Sequence, residues 1–175
     1  MNTIEYDIVK EEAAVKKAVK VNKVGLNAEK SAVIVNALNE LVANYQVFYM
    51  NVRGFHWNIK GERFFEFHAK FEELYTDLAE KIDEVAERVL TLGGTPMHSF
   101  EDYIKNAKVQ VVKNVSDTTN SVSSIVNSFE TVLVKQREIL DASADANDEG
   151  TNALMSDYIT EQEKQVWMYS AFLGQ

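Results

Sequence analysis

The chain has 175 residues, enough for one domain with a core that folds unaided, and no internal repeat is visible. It has no cysteine, which excludes a disulfide framework and a thiolate metal site; no apolar run or leader pattern points to a membrane or to secretion, so the expected compartment is the cytoplasm. Eighteen basic against 27 acidic residues leave a net charge of −9, which disfavours nucleic acid and favours cations.

With one Pro and seven Gly there is little to interrupt helical periodicity, and the class is all-α. Residues 1–26 stand apart as an N-terminal extension, with Lys10, Lys16, Lys17, Lys20 and Lys23 set among Glu5, Asp7, Glu11 and Glu12. Ala13, Ala14, Val15, Ala18 and Val19 give it only a thin apolar set, so the bland reading is a solvated extension and the sharp reading a basic arm for DNA. The folded unit is then 27–175. Asn27 is the expected N-cap of a first long helix, in which Ile34, Leu38, Leu41, Tyr45, Phe48, Val52 and Phe55 recur from Val33 onward, ending near His56 and Trp57. Gly61 lies in the following turn. Phe64, Phe71, Tyr75, Leu78, Ile82 and Val89 are the expected buried face of a second helix, stopped by Gly93, Gly94 and Pro96.

Residues 95 to about 115 form a long connection in which Ser99 caps a short helix over 99–107. Such an excursion suits a crossover between helices that are not hairpin neighbours, as in ferritin-like bundles. A third long helix is expected from Ser116 to about Ala144 on Val122, Ile125, Val126, Phe129, Val132, Leu133, Gln136 and Leu140, broken by the polar run 143–150. Leu154, Met155, Tyr158, Ile159, Val166 and Tyr169 carry a fourth to the end, with Trp167 as a packing residue and no tail after Gln175.

The second helix carries the chemistry. At roughly 100° per residue, the steps of 4, 11 and 4 residues that link His68, Glu72, Asp83 and Glu87 keep them within about 100° of arc. Each i, i+4 pair alone would ordinarily be solvated surface. Together with His56, and interleaved with Phe64, Phe71, Tyr75 and Ile82, they form a stripe expected to be desolvated at a subunit contact, where unpaired acids are costly and a bound cation resolves the conflict. Glu72 and Asp83 lie roughly 16 Å apart along a straight helix, too far to share one metal. The Glu-x-x-His pairs that close a di-iron site within one bundle are missing, since Phe65 and Thr95 stand three before His68 and His98. The economical geometry is a second copy laid antiparallel, with a two-fold near Asp77 and Leu78 and two equivalent sites per dimer. Imidazole and carboxylate ligands suit iron, zinc or manganese, and spacing alone selects none of them. Trp57 reads either as interface packing or as an electron donor, with Tyr75 a weaker case of the same kind. His98 has no carboxylate at helical spacing and reads as a connection residue.

His56-Trp57, Gly61, Phe64, His68, Phe71, Glu72, Tyr75, Asp83, Ala86, Glu87 and Arg88, with LGGTP at 92–96 and VWMYSAFLG at 166–174, resemble the signature of the Dps proteins, the mini-ferritins. The likeness runs from about residue 27 to the end. It implies a ferritin-like four-helix subunit with a short helix in the crossover between the second and third long helices, and a hollow homododecamer. It also implies intersubunit ferroxidase sites that oxidise iron(II), hydrogen peroxide favoured over dioxygen, with at most two irons per site. The ligands it implies are His56, His68, Glu72, Asp83 and Glu87. Glu72 departs from the Asp that many members carry. The resemblance also implies a three-fold iron pore at the start of the last helix; Ala153 stands where a pore aspartate is common, and Glu149 and Asp157, one turn to either side, are the expected substitutes, in an acid cluster with Asp145 and Asp148. Members that bind DNA often use lysine-rich arms. Here the charge of −9 and the acids ahead of the lysines argue against tight DNA binding and against a nucleoid-compacting role.

Overall fold

A computed structural model describes residues 20–175; the lysines Lys10, Lys16 and Lys17 and the apolar set up to Val19 lie outside the described residues. The elements in order are α1 (Ala28–Asn58), α2 (Phe64–Thr91), α3 (Phe100–Asn106), α4 (Thr118–Ala146) and α5 (Glu149–Phe172). α1 packs on α2 and α4, α4 pairs with α5, and α3 lies on α1. This is the expected all-α, ferritin-like bundle with a short helix in its long crossover.

Local chemistry accounts for each boundary. Asn27, Ser99, Asp117 and Asp148 cap α1, α3, α4 and α5, each side chain accepting from a backbone N–H of the first turn. α2 has no side-chain cap and begins after Gly61, whose φ of +108° makes the α1–α2 turn. Its far end closes on Gly93 (φ +89°), with the N–H of Gly94 returning to the Val89 carbonyl at 2.9 Å. Two expected boundaries move. α4 starts at Thr118 because Asp117 supplies the cap, and it runs on to Ala146 because only Asn147 leaves the right-handed region, at φ 55°.

The inward faces follow the sequence pattern with small corrections. Ile34, Leu38, Leu41, Phe48 and Val52 of α1 are sealed against Phe71, Leu78, Val85 and Val89 of α2 and Ile125, Phe129, Val132 and Ile139 of α4. Each such side chain contributes about 1.5–3 kcal/mol by leaving water. Val33 points outward, and Trp167, expected to pack, is 67% exposed, because the inward positions of α5 belong to Met155, Tyr158, Ile159, Gln162 and Tyr169. At the centre, Gln136 of α4 and Gln162 of α5 each donate to the Tyr45 hydroxyl at 2.6 Å.

Three buried asparagines of α1 lay down the crossover. Asn39 donates to the Thr95 carbonyl and accepts from Met97 N–H; Asn44 accepts from Lys108 and Val109; Asn51 donates to the Gln110 carbonyl and accepts from Val112. Lys60 N–H then donates to the Ser116 carbonyl. The connection therefore climbs α1 from its middle to its C-terminal end, its backbone groups satisfied by side chains, and delivers α4 antiparallel to α1.

Candidate metal centre

His56 sits in the last turn of α1 and His68 near the start of α2, so the α1–α2 turn brings together two residues twelve apart. Their rings stack with centroids 3.7 Å apart and planes 22° from parallel. His56 Nδ1–H donates to the His68 carbonyl at 2.8 Å, and His68 Nδ1–H donates to the His56 carbonyl at 2.9 Å. A carbonyl only accepts, so each Nδ1 carries a proton and, in the neutral ring, each Nε2 keeps its lone pair. A backbone carbonyl on the far ring nitrogen is how metal-binding imidazoles are commonly oriented. Phe64 stacks on His68 at 5.0 Å and Tyr75 sets its ring edge-on to His56 at 5.3 Å, which leaves the pair little freedom to turn.

The three acids of the stripe are exposed on α2, and among the described residues none has a hydrogen-bond or ion-pair partner for its carboxylate. Acids on the other faces of α2 are engaged: Glu66 by Arg63, Glu73 by Lys70, Asp77 by Lys81 and Glu84 by the Tyr158 hydroxyl. Lys81, almost buried, also reaches Glu161 of α5 at 2.9 Å. Burial alone would depress its ammonium, but hydrogen bonds to Asp77 and Glu161 outweigh that and hold it above the ordinary lysine value. Of the remaining α2 acids only Glu80, next to the stripe, is also without a partner among the described residues, so the free carboxylates of α2 lie on or beside the face that carries the histidines' continuation.

Among the described residues no three His, Asp or Glu side chains lie close enough together to hold a metal ion. Midway along the stripe Leu78 is fully buried and Asp77 is bound to Lys81, so Thr76 and Ala79 face outward there.

The ferritin-like domain family matches residues 35–175. A DNA protection during starvation protein of Porphyromonas gingivalis is 41% identical over 148 residues, spanning 85% of this chain and 93% of that one. A crystal structure of a Dps protein from Vibrio cholerae O1, described as a member of a broad superfamily of ferritin-like diiron-carboxylate proteins, superposes with a TM-score of 0.87 at 54% identity, covering 90% of this chain and 99% of that chain. The chain belongs to the Dps family. A Dps protein from Bacillus brevis is more distant, with 36% identity and a TM-score of 0.80 over 83% of this chain and 97% of that one.

In this Dps subunit the remaining site expectations fall as follows. Trp57, beside His56 in sequence, turns outward and is 57% exposed, stacked on Arg53 at 4.9 Å. His98 is exposed and its Nδ1–H donates to the Pro96 carbonyl, away from the stripe. At the start of α5, Glu149, Ala153 and Asp157 are all exposed, but the acid cluster expected there is smaller than the sequence suggests. Asp145 belongs to the last turn of α4, and Asp148 is a buried N-cap whose carboxylate binds the Arg88 guanidinium and the Thr151 hydroxyl. Sequence reasoning missed Arg53 and Tyr49. Their signal was the four-residue spacing Tyr49, Arg53, Trp57, which puts a cation between two aromatics on one helix face.

Proposed function

We propose that this chain is an iron-sequestering mini-ferritin: it oxidises iron(II), hydrogen peroxide favoured over dioxygen, at sites shared between two copies, and stores the ferric product as mineral in a hollow dodecamer. The observation that carries the reading is the unpaired row Glu72, Asp83 and Glu87, continuing a histidine pair whose Nδ1 atoms are already spent and whose Nε2 atoms are free. His68 and Glu87, Glu72 and Asp83, Ala69 and Ala86, and Phe65 and Leu90 are each equidistant from the level of residues 77–78. An antiparallel copy of α2 therefore sets each histidine-end ligand against an acid and covers the exposed rim residues Phe65 and Leu90.

Iron is the substrate, with two ions at most per site. Asp83 and Glu87 of one copy with His56 of the other form the tighter position, and His68 with Glu72 orients the second iron or a bridging water. Two iron(II) ions each lose one electron, and hydrogen peroxide takes both with two protons to become two waters, a two-electron step that forms no hydroxyl radical. Trp57 and Tyr75 are oxidisable rings close by. Glu149 and Asp157, repeated around a three-fold, supply a negative ring that draws iron inward, and interior carboxylates nucleate the oxide. The role is protection of the cell, in the cytoplasm, from iron and peroxide. Tight DNA binding at physiological salt is not expected of a chain carrying −9.

The test is rapid mixing of the assembled protein with iron(II) and peroxide. Absorbance of the ferric product should grow fast, and a His56→Ala, Asp83→Ala double variant should slow it by at least ~10-fold, about 1.4 kcal/mol of barrier. Equal rates in the two proteins would remove the assignment.

A further inference from the structure

Beside the two histidines, Arg53 and Tyr49 join the oxidisable rings of Tyr75 and Trp57 in one cluster. Tyr75 touches His56 edge-on at 5.3 Å and touches Tyr49 edge-on at 6.0 Å. Arg53 lies against all the oxidisable rings here: its guanidinium carbon is 5.7 Å from the Tyr49 centroid, 5.9 Å from Tyr75 and 4.9 Å from Trp57. Its Nη1–H also donates to the Tyr49 hydroxyl at 2.7 Å. No carboxylate pairs with Arg53 among the described residues, and an arginine does not lose its proton, so a fixed, unneutralised charge faces three rings at once.

We propose that Arg53 is a positioning residue that decides which ring yields an electron when an oxidant escapes the iron site: the Tyr75/Tyr49 pair and not Trp57. The inference rests on the ferroxidase reading for its oxidant, the hydroxyl radical made, with a hydroxide, when a site holding only one iron(II) passes a single electron to peroxide. One electron from Tyr75 reduces that radical to hydroxide; the phenol loses its O–H proton, which joins the hydroxide as water, and a neutral phenoxyl remains. An electron from Tyr49 then restores Tyr75, which regains a proton as Tyr49 loses one. Neither step adds charge beside the guanidinium.

Trp57 differs in kind. Removing its electron first makes an indole radical cation, placing a positive charge on a ring whose centroid is 4.9 Å from the guanidinium carbon. Like charges at that range repel, so Arg53 penalises oxidation of Trp57 more than oxidation of either tyrosine. Connectivity agrees with charge. Tyr75 is in ring contact with His56, whereas among the described residues Trp57 makes no ring contact with either histidine.

Rapid-freeze electron paramagnetic resonance of the full chain, mixed with iron(II) and peroxide, reads the outcome directly. The wild type should show a tyrosyl signal that is mostly lost in a Tyr49→Phe, Tyr75→Phe double variant. Arg53→Gln keeps a hydrogen-bond donor but removes the charge, and should shift the signal to a tryptophanyl radical that disappears when Trp57→Phe is added. Arg53→Lys, which restores a cation, should restore the tyrosyl signal. A tryptophanyl signal in the wild type, or an Arg53→Gln signal identical to the wild type, would overturn the proposal. A second arm uses a photo-oxidised ruthenium complex as the oxidant, with no iron present, and the same tyrosyl-to-tryptophanyl shift is expected. If that shift occurs while iron(II) and peroxide give no ferric product, the ferroxidase reading fails and the role of Arg53 stands. If iron is oxidised and neither oxidant's signal responds to Arg53→Gln, this inference fails and the ferroxidase reading stands.

Discussion

His56 and His68 show how single residues acquire a direction. Each spends one ring nitrogen on the other's backbone carbonyl, at 2.8 and 2.9 Å, so the tautomer and the ring plane are set by the chain itself before any iron arrives. The sequence marked both residues and their share of the stripe. It carried no sign of the reciprocal bonds, because these depend on how the α1–α2 turn closes around Gly61. At the same scale Asp117 supplies a pH dependence. Its carboxylate accepts from the backbone and side chain of Asn120, which hold it below the ordinary aspartate value of 3.8. A group depressed in the folded state contributes stability above its unfolded pKa and loses it as pH falls through the folded value. Asp117→Ala should therefore cost about 1 kcal/mol at neutral pH, and the gap in thermal midpoint between variant and wild type should narrow as pH drops below 3.8. A gap that stays constant into acid would show that the cap is not ionic.

Among the elements, α1 is the one whose sequence said least about its role. Its apolar rhythm gave the helix, but Asn39, Asn44 and Asn51 look in the sequence like polar interruptions, whereas in the fold they hold the crossover by its backbone. Periodicity reports which face is buried and is silent on what an amide on that face will bind. The end of α2 is more legible, since Gly93, Gly94 and Pro96 read as a stop from the chain alone. The structure adds why Gly94 is needed: a Cβ there would stand 2.5 Å from Val35 Cγ1 and 3.1 Å from Val89 Cγ1. Gly94→Ala should lower stability by about 1–3 kcal/mol through overpacking. Adding Val35→Ala should return part of that loss in a double-mutant cycle measured by denaturant unfolding. Strict additivity of the two changes would mean that the contact with Val35 is not the cause.

For the whole molecule, the exposed apolar residues are the part of the surface a single chain leaves unexplained. Phe65 is 85% exposed, Leu90 59% and Phe100 82%, and a groove of about 390 Å³ lies between α1, α3 and the crossover, lined by Met50, Trp57, Ile104 and Val111 among others. Apolar surface of this kind marks a contact with another protein. Phe65 and Leu90 lie at the two ends of the ligand stripe, so Phe65→Glu with Leu90→Glu should lower the assembled mass seen by light scattering and slow iron oxidation in parallel. Loss of mass with full activity would show that one chain completes a site by itself. Unchanged mass would place the subunit contact elsewhere.

By itself the sequence determined the all-α class, the order of the helices, most of their ends, the inward faces and the stripe of His68, Glu72, Asp83 and Glu87. Each of these depends on local propensity, capping or a 3.6-residue period, which neighbouring residues specify among themselves. Only the tertiary structure decided that Asp148 is a buried cap held by Arg88, and that Trp167 faces outward. It alone decided that Lys81 binds both Asp77 and Glu161, and that Arg53 faces three oxidisable rings. Each of these outcomes turns on which of several exposed or half-buried positions a distant helix covers, a choice made by packing between elements that no periodicity within one helix encodes.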